Sequence, residues 1–155
     1  MELKKILCAV DLMDTVNPAV EYAKMLADMS GASVSVIYVI SSRSTYENLQ
    51  VPVEEIAKGM RRIWSRSRED MDAFVAAHFP GVDATGFIYE GKPAEKIVEI
   101  AREQDVDMIG ADMIVMGTNA RERFLDRFFF GSVANEVVKS SKCPVMTIRP
   151  EKKSE

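Results

Sequence analysis

A single histidine, His78, serves the whole 155-residue chain, and its scarcity excludes familiar chemistry. A histidine-built metal cluster or a Ser-His-Asp triad would have to be assembled around that one side chain. Cysteine is nearly as rare. Cys8 and Cys143 stand far apart, in apolar surroundings and outside any metal-type spacing. Buried free thiols are the expectation, as suits a reducing cytosol. No apolar run approaches the roughly 18 residues of a membrane span. Residues 1–10 faintly mimic a signal peptide, but Asp11 interrupts them before an apolar segment of that kind can form. An excess of positive charge is missing too: 20 Lys and Arg against 24 Asp and Glu leave a net charge of −4. That balance argues against a nucleic-acid partner. The one basic concentration, Arg61, Arg62, Arg66 and Arg68, reads as a solvated helix face. Also absent is the Gly-x-x-x-x-Gly-Lys-Ser/Thr loop of phosphate-hydrolysing proteins, and no residue stands out as a poised base. A binding module is therefore expected over an enzyme, soluble and cytoplasmic, with neither membrane nor nucleic acid as a partner.

What is present is an ordinary globular composition, 47% hydrophobic and 28% charged. The length suits one domain with a core of its own, expected over residues 1–150, followed by a charged tail at 151–155. Strand-length apolar runs alternate with segments of helical period. Residues 6–10 read as a buried strand. Asn17 is placed to cap a helix with Pro18 at its first position and Gly31 at its end, burying Val20, Ala23 and Ala27. A β-branched run over 34–40 follows, continuous enough for a strand covered on both faces. From Val53 a long helix recurs at three- and four-residue steps through Ile56, Met60, Ile63, Trp64, Met71, Phe74 and Val75, until Pro80-Gly81. Phe87-Ile88-Tyr89 lies in a third strand, and Gly91-Lys92-Pro93 opens a third helix. Met113 to Met116 form a fourth strand, Ser132 caps a fourth helix, and Val145–Ile148 make a last strand.

Strand and helix repeated four times plus a final strand is the grammar of a doubly wound α/β domain. Right-handed crossovers lead to a five-stranded parallel sheet in the order 3-2-1-4-5, with helices on both faces. Strands 1 and 4 are then neighbours whose connections leave toward opposite faces. Ligands bind beyond the carboxyl ends of strands at such a point. Val10-Asp11 and Met116-Gly117 stand there. The run Ile114-Val115-Met116-Gly117 ends at a glycine, and Gly131-Ser132-Val133 opens the next helix. Free N–H groups and the dipole at a helix start favour an anion, with phosphate the obvious candidate. The glycines at 117 and 131 would allow close approach and a positive φ.

Three motifs together resemble the universal stress protein family over nearly the whole chain. They are Ile6-Leu7-Cys8-Ala9-Val10-Asp11, Gly91-Lys92-Pro93-Ala94-Glu95-Lys96-Ile97 and Cys143-Pro144-Val145-Met146-Thr147-Ile148-Arg149. The resemblance implies a homodimeric module that binds ATP or AMP, with Mg²⁺ as an optional ion, and that signals to a protein partner. It implies Asp11 near the adenine, Ala9 and Val10 lining the base pocket and Val39 packing on the base. Met116 and Gly117 would approach ribose and phosphates, and Gly131, Ser132 and Val133 would offer N–H groups to the phosphates. It also implies dimerisation through Val145–Ile148. The nucleotide-binding branch of the family carries Gly, two residues, Gly, nine residues, then Gly-Ser or Gly-Thr. Here Ala120 stands at the second glycine, and ten residues separate it from Gly131. A further departure is Asp107-Met108-Ile109 echoed by Asp112-Met113-Ile114, a short duplication expected to lengthen the turn into strand 4 and to spare the crevice.

Each role has a plainer alternative. Asp11 could cap the next segment, Val39 could be simple core, and Ser132 could be only an N-cap. Arg121, Arg123 and Arg127 could neutralise phosphates or lie in solvent, while Phe128-Phe129-Phe130 is expected to anchor its loop to the core. Two other functions compete with nucleotide signalling. One is a dimeric interaction or chaperone-like protein that binds no nucleotide; the other is a slow ATPase or self-phosphorylating enzyme, with Ser132 and Thr118 as the acceptors.

Overall fold

The computed structural model describes residues 2–12, 17–41, 51–102, 110–118 and 131–150. Nine elements alternate: β1 (Lys5–Ala9), α1 (Pro18–Ser30), β2 (Ser33–Ser41), α2 (Val53–His78), β3 (Ala84–Gly91), α3 (Pro93–Arg102), β4 (Met113–Gly117), α4 (Ser132–Ser140) and β5 (Val145–Ile148). All strand pairs are parallel, and the five-stranded order is β3-β2-β1-β4-β5. This is the expected doubly wound sheet.

Alternation along each strand divides the core into two layers. Ile6, Cys8, Val10, Val34, Val36 and Val115 pack under α1 and α2 with Ala19, Val20, Ala23, Ala27 and Met71. Leu7, Ile37, Val39, Ile114 and Met116 face the other way, under α3 and α4, with Ala94, Ile97, Ile100, Ala134 and Val137. Strands buried on both sides are why these runs are almost continuously apolar. The chain thus leaves β1 toward one layer and β4 toward the other.

The structure adjusts several local expectations. Asn17 holds the N-cap position of α1 but makes no capping bond with its side chain; its Nδ2 donates instead to the Asp11 carbonyl at 3.4 Å. Gly131, not Ser132, is the N-cap of α4, with φ −49 and ψ 144. Its carbonyl accepts from the Asn135 N–H at 3.0 Å, which leaves Ser132 as the first helical residue. Gly91 closes β3 at φ 153 and does not yet begin α3. Val53 and Ile63, expected on the buried stripe of α2, are instead 74% and 40% exposed, whereas Met60 between them is buried. Cys8 is buried as expected, but Cys143 only partly.

The duplicated Asp-Met-Ile resolves in favour of its second copy. The Asp112 carboxylate accepts from the N–H groups of Lys4 and Lys5 at 2.9 and 2.8 Å. Its own N–H donates to the Lys5 carbonyl, so Met113 and Ile114 enter β4 in register with Ile6 and Leu7. The first copy, 107–109, lies outside the described residues, ahead of the amino end of β4.

Candidate functional site

The carboxyl ends of β1 and β4 form the switch point. Ala9 is in register with Ile37 on one side and Met116 on the other. The Val10 N–H carries the ladder one residue further, donating to the Ile37 carbonyl at 2.9 Å. Asp11 follows, half-buried, at the point where the chain turns away. On the neighbouring strand Gly117 is in register with Ile148. The Thr118 N–H then donates to the Ile148 carbonyl at 2.9 Å, and the Thr118 hydroxyl lies 3.5 Å from the same oxygen.

These contacts bring Ala9, Val10, Asp11, Met116 and Gly117 to one end of the sheet. Val39, two residues beyond Ile37, is in the strand next to β1 and belongs to the same core layer as Met116. Val133, in the first turn of α4, and Ala9 both pack at the edge of that layer, and α4 lies against α3 and β5. Val10 sits apart, in the opposite layer. Ala9 and Val10 therefore present opposite side-chain directions to the crevice, and what they share is its backbone rim. The side chains of Val10, Val39 and Met116 are buried. Ala120 and the arginines and phenylalanines of 121–130 lie outside the described residues.

The positive φ expected at these glycines is not found: neither Gly117 nor Gly131 has one. A Cβ at Gly117 would sit 3.9 Å from the Ile148 carbonyl oxygen and 4.0 Å from Pro18 Cγ, ordinary contact distances. Pro18, the first residue of α1, thereby borders the same crevice from the other layer. In the sequence Asn17 stands as a helix cap. Its bond to the Asp11 carbonyl instead ties the start of α1 to the end of β1, and the Asn-Pro pair was the available signal.

The electrostatics of α4 suit an anion. Among the described residues no side chain caps its N-terminus, and its first turn holds no acidic residue, with Lys139 in its last turn. By contrast α1, α2 and α3 carry Glu21, Glu54 with Glu55, and Glu95 in their first turns. The unpartnered N–H groups of a helix start, together with the dipole, attract negative charge. Among the described residues no group of three or more His, Cys, Asp or Glu side chains could hold a metal ion. Likewise, no described helix is long and apolar enough to cross a membrane.

Known proteins share this frame. Universal stress protein MJ0531 of Methanocaldococcus jannaschii is 30% identical over 159 residues, covering 97% of this chain and 84% of the relative. The structure of protein MJ0577 from the same organism superposes with a TM-score of 0.79 at 25% identity, covering 99% of this chain and all of that one. A universal stress protein of Archaeoglobus fulgidus in complex with dAMP superposes with a TM-score of 0.62 at 23% identity, over 96% of this chain and 99% of that one. A universal stress protein in complex with cAMP gives the same TM-score and identity over 97% of this chain and the whole of the other. The Universal stress protein family profile matches residues 2–149. Since that match takes in all nine elements and the crevice between them, the chain belongs to the universal stress protein family.

Proposed function

We propose that the chain binds an adenine nucleotide, ATP or AMP, at the β1/β4 switch point, and acts in the cytoplasm as a homodimeric stress-response signalling module. The observation that carries this reading is the start of α4, free of acidic side chains and packed through Val133 on the core layer of Val39 and Met116, in a sheet whose β1 and β4 connections leave toward opposite layers. Family membership supports it, as do the dAMP and cAMP held by two relatives of this fold. The phosphates would lie against the N–H groups of Ser132 and Val133 and the Ser132 hydroxyl, with Gly131 leaving room for them. Met116 and Gly117 would border the ribose. The base would lie toward Ala9, Val10 and Val39, with the Asp11 carboxylate accepting from its exocyclic amine. A Mg²⁺ ion would rest on phosphate oxygens, with Asp11 the carboxylate on the crevice rim.

Replacing Gly131 with valine places a branched side chain where the phosphates would approach. Calorimetry should show ATP binding lost in Gly131→Val while circular dichroism keeps the wild-type fold. Unchanged affinity would put the phosphates elsewhere. The departures at Ala120 and in the spacing to Gly131 favour a second reading, a dimeric interaction protein without nucleotide. Mass spectrometry of gently purified protein separates the two, since only the first predicts co-purifying adenine nucleotide.

A further inference from the structure

The apolar stripe of α2 outruns the strand it covers. At about 1.5 Å per residue the 26 residues of α2 reach about 39 Å. The 8 residues of β3 span only about 26 Å. In the carboxyl half of the helix Met71, Phe74 and Val75 pack on the sheet. The same stripe continues at three- and four-residue steps through Ser67, Trp64, Met60 and Ala57. There it meets a concavity of about 570 Å³ lined by Ala57, Met60, Arg61, Trp64, Ser65 and Glu90. That volume lies within the roughly 300–1,000 Å³ of small-molecule sites.

Glu90 closes the far wall from the carboxyl end of β3, two strands away from β1 in the sheet order. Met60 is buried and Trp64 half-buried, which forms an apolar floor with one aromatic face. Arg61 is exposed at the rim and makes no ion pair among the described residues, whereas Arg66 lies 3.8 Å from Asp70. Of the four clustered arginines, Arg61 lines this cavity. The Ser65 hydroxyl and the Glu90 carboxylate add groups able to accept from a ligand's hydroxyl or amine.

We propose that this cavity is a second ligand site, for a small molecule with a flat aromatic body stacked on Trp64 and Met60 and an anionic group held at Arg61. It is separate from the crevice at β1 and β4 and does not depend on the nucleotide reading. Trp64 is the only tryptophan of the chain, so its emission reports occupancy directly. Nitrobenzoate, an aromatic anion that quenches tryptophan, is the probe, with nitrobenzyl alcohol as its neutral counterpart.

Titration of the full chain should give saturable quenching by nitrobenzoate, weaker binding of the alcohol, and no change in excess ATP. Arg61→Gln should raise the dissociation constant for nitrobenzoate roughly three- to fivefold, the scale of an exposed ion pair, without affecting the alcohol. Ala57→Leu, which fills the cavity, should abolish saturation; if it disturbs α2, the Arg61→Gln comparison decides alone. Linear, unsaturable quenching of the wild type would overturn the proposal. So would an affinity indifferent to Arg61→Gln, or displacement of the probe by ATP.

Discussion

Burial separates the two cysteines. Cys8 is fully enclosed in β1, and burial pushes its thiol from 9.0 up to about 12. Cys143 is half-buried, with its Sγ 3.4 Å from the Ser141 hydroxyl. A thiol-specific disulfide reagent at neutral pH should therefore label Cys143 in the native protein and reach Cys8 only after denaturation. The Cys8 shift also makes stability depend on alkaline pH. Below pH 9.0 the thiol keeps its proton in both states, and that part of the stability is fully present. As pH rises through 9.0 toward about 12, the unfolded thiol ionises while the folded one does not, so stability is progressively lost. Urea midpoints followed upward from neutral pH should fall more steeply for wild type than for Cys8→Ala. At Ala120 the family motif calls for glycine. If a left-handed backbone is required there, alanine costs about 1–2 kcal/mol, and Ala120→Gly should tighten ATP by up to roughly tenfold. Calorimetry showing no gain would mean that the loop follows a different path from the motif.

Among elements, the joint between α2 and β3 tolerates least. A Cβ on Gly86 would collide with Met71 Cγ and come within 2.9 Å of Met71 Sδ and 3.2 Å of Val75 Cγ2. Met71 is almost fully buried, so its inner methylene cannot swing away without disturbing the core. The glycine thus lets α2 settle directly onto the edge strand. Gly86→Ala should destabilise the fold by about 1–3 kcal/mol, the usual cost of overpacking. Adding Met71→Ala should recover part of that cost, because the two substitutions compete for one volume. Strictly additive losses in chemical denaturation would disprove the clash. The same joint anchors the carboxyl half of α2 and leaves its amino half to wall the Arg61 cavity.

For the whole molecule the feature that bears on assembly is the β5 edge. The Pro144 and Ile148 carbonyls turn inward, accepting from the Ile114 and Thr118 N–H groups of β4 and its extension at 3.0 and 2.9 Å. Alternation then turns the N–H and C=O groups of Val145 and Thr147 outward, along the sheet's free edge. Such an edge invites pairing, and an antiparallel match with its own copy closes it in a two-fold dimer. Proline at 145 removes an outward donor and keeps the inward ladder intact. Val145→Pro should shift light scattering from dimer toward monomer with the fold retained. A wild-type protein that is monomeric at micromolar concentration would end the dimer reading.

The order of elements was legible because its signals are local. Continuous β-branched runs mark strands buried on both faces, Pro18 and Gly31 bracket α1, and right-handed crossovers leave few ways to arrange five parallel strands. The switch point followed from that order, and with it the meeting of Val10-Asp11 and Met116-Gly117. Tertiary structure decided what depends on distant partners. The Asp112 bonds to Lys4 and Lys5 selected one of two equivalent repeats for β4. Met71 left no room for a Cβ at Gly86, although nothing near Gly86 in the chain announces it. The length of β3 determined how much of the α2 stripe became core and how much became a cavity wall. Periodicity records which face of a helix is apolar, but only the neighbouring strand determines where along the helix that face is covered.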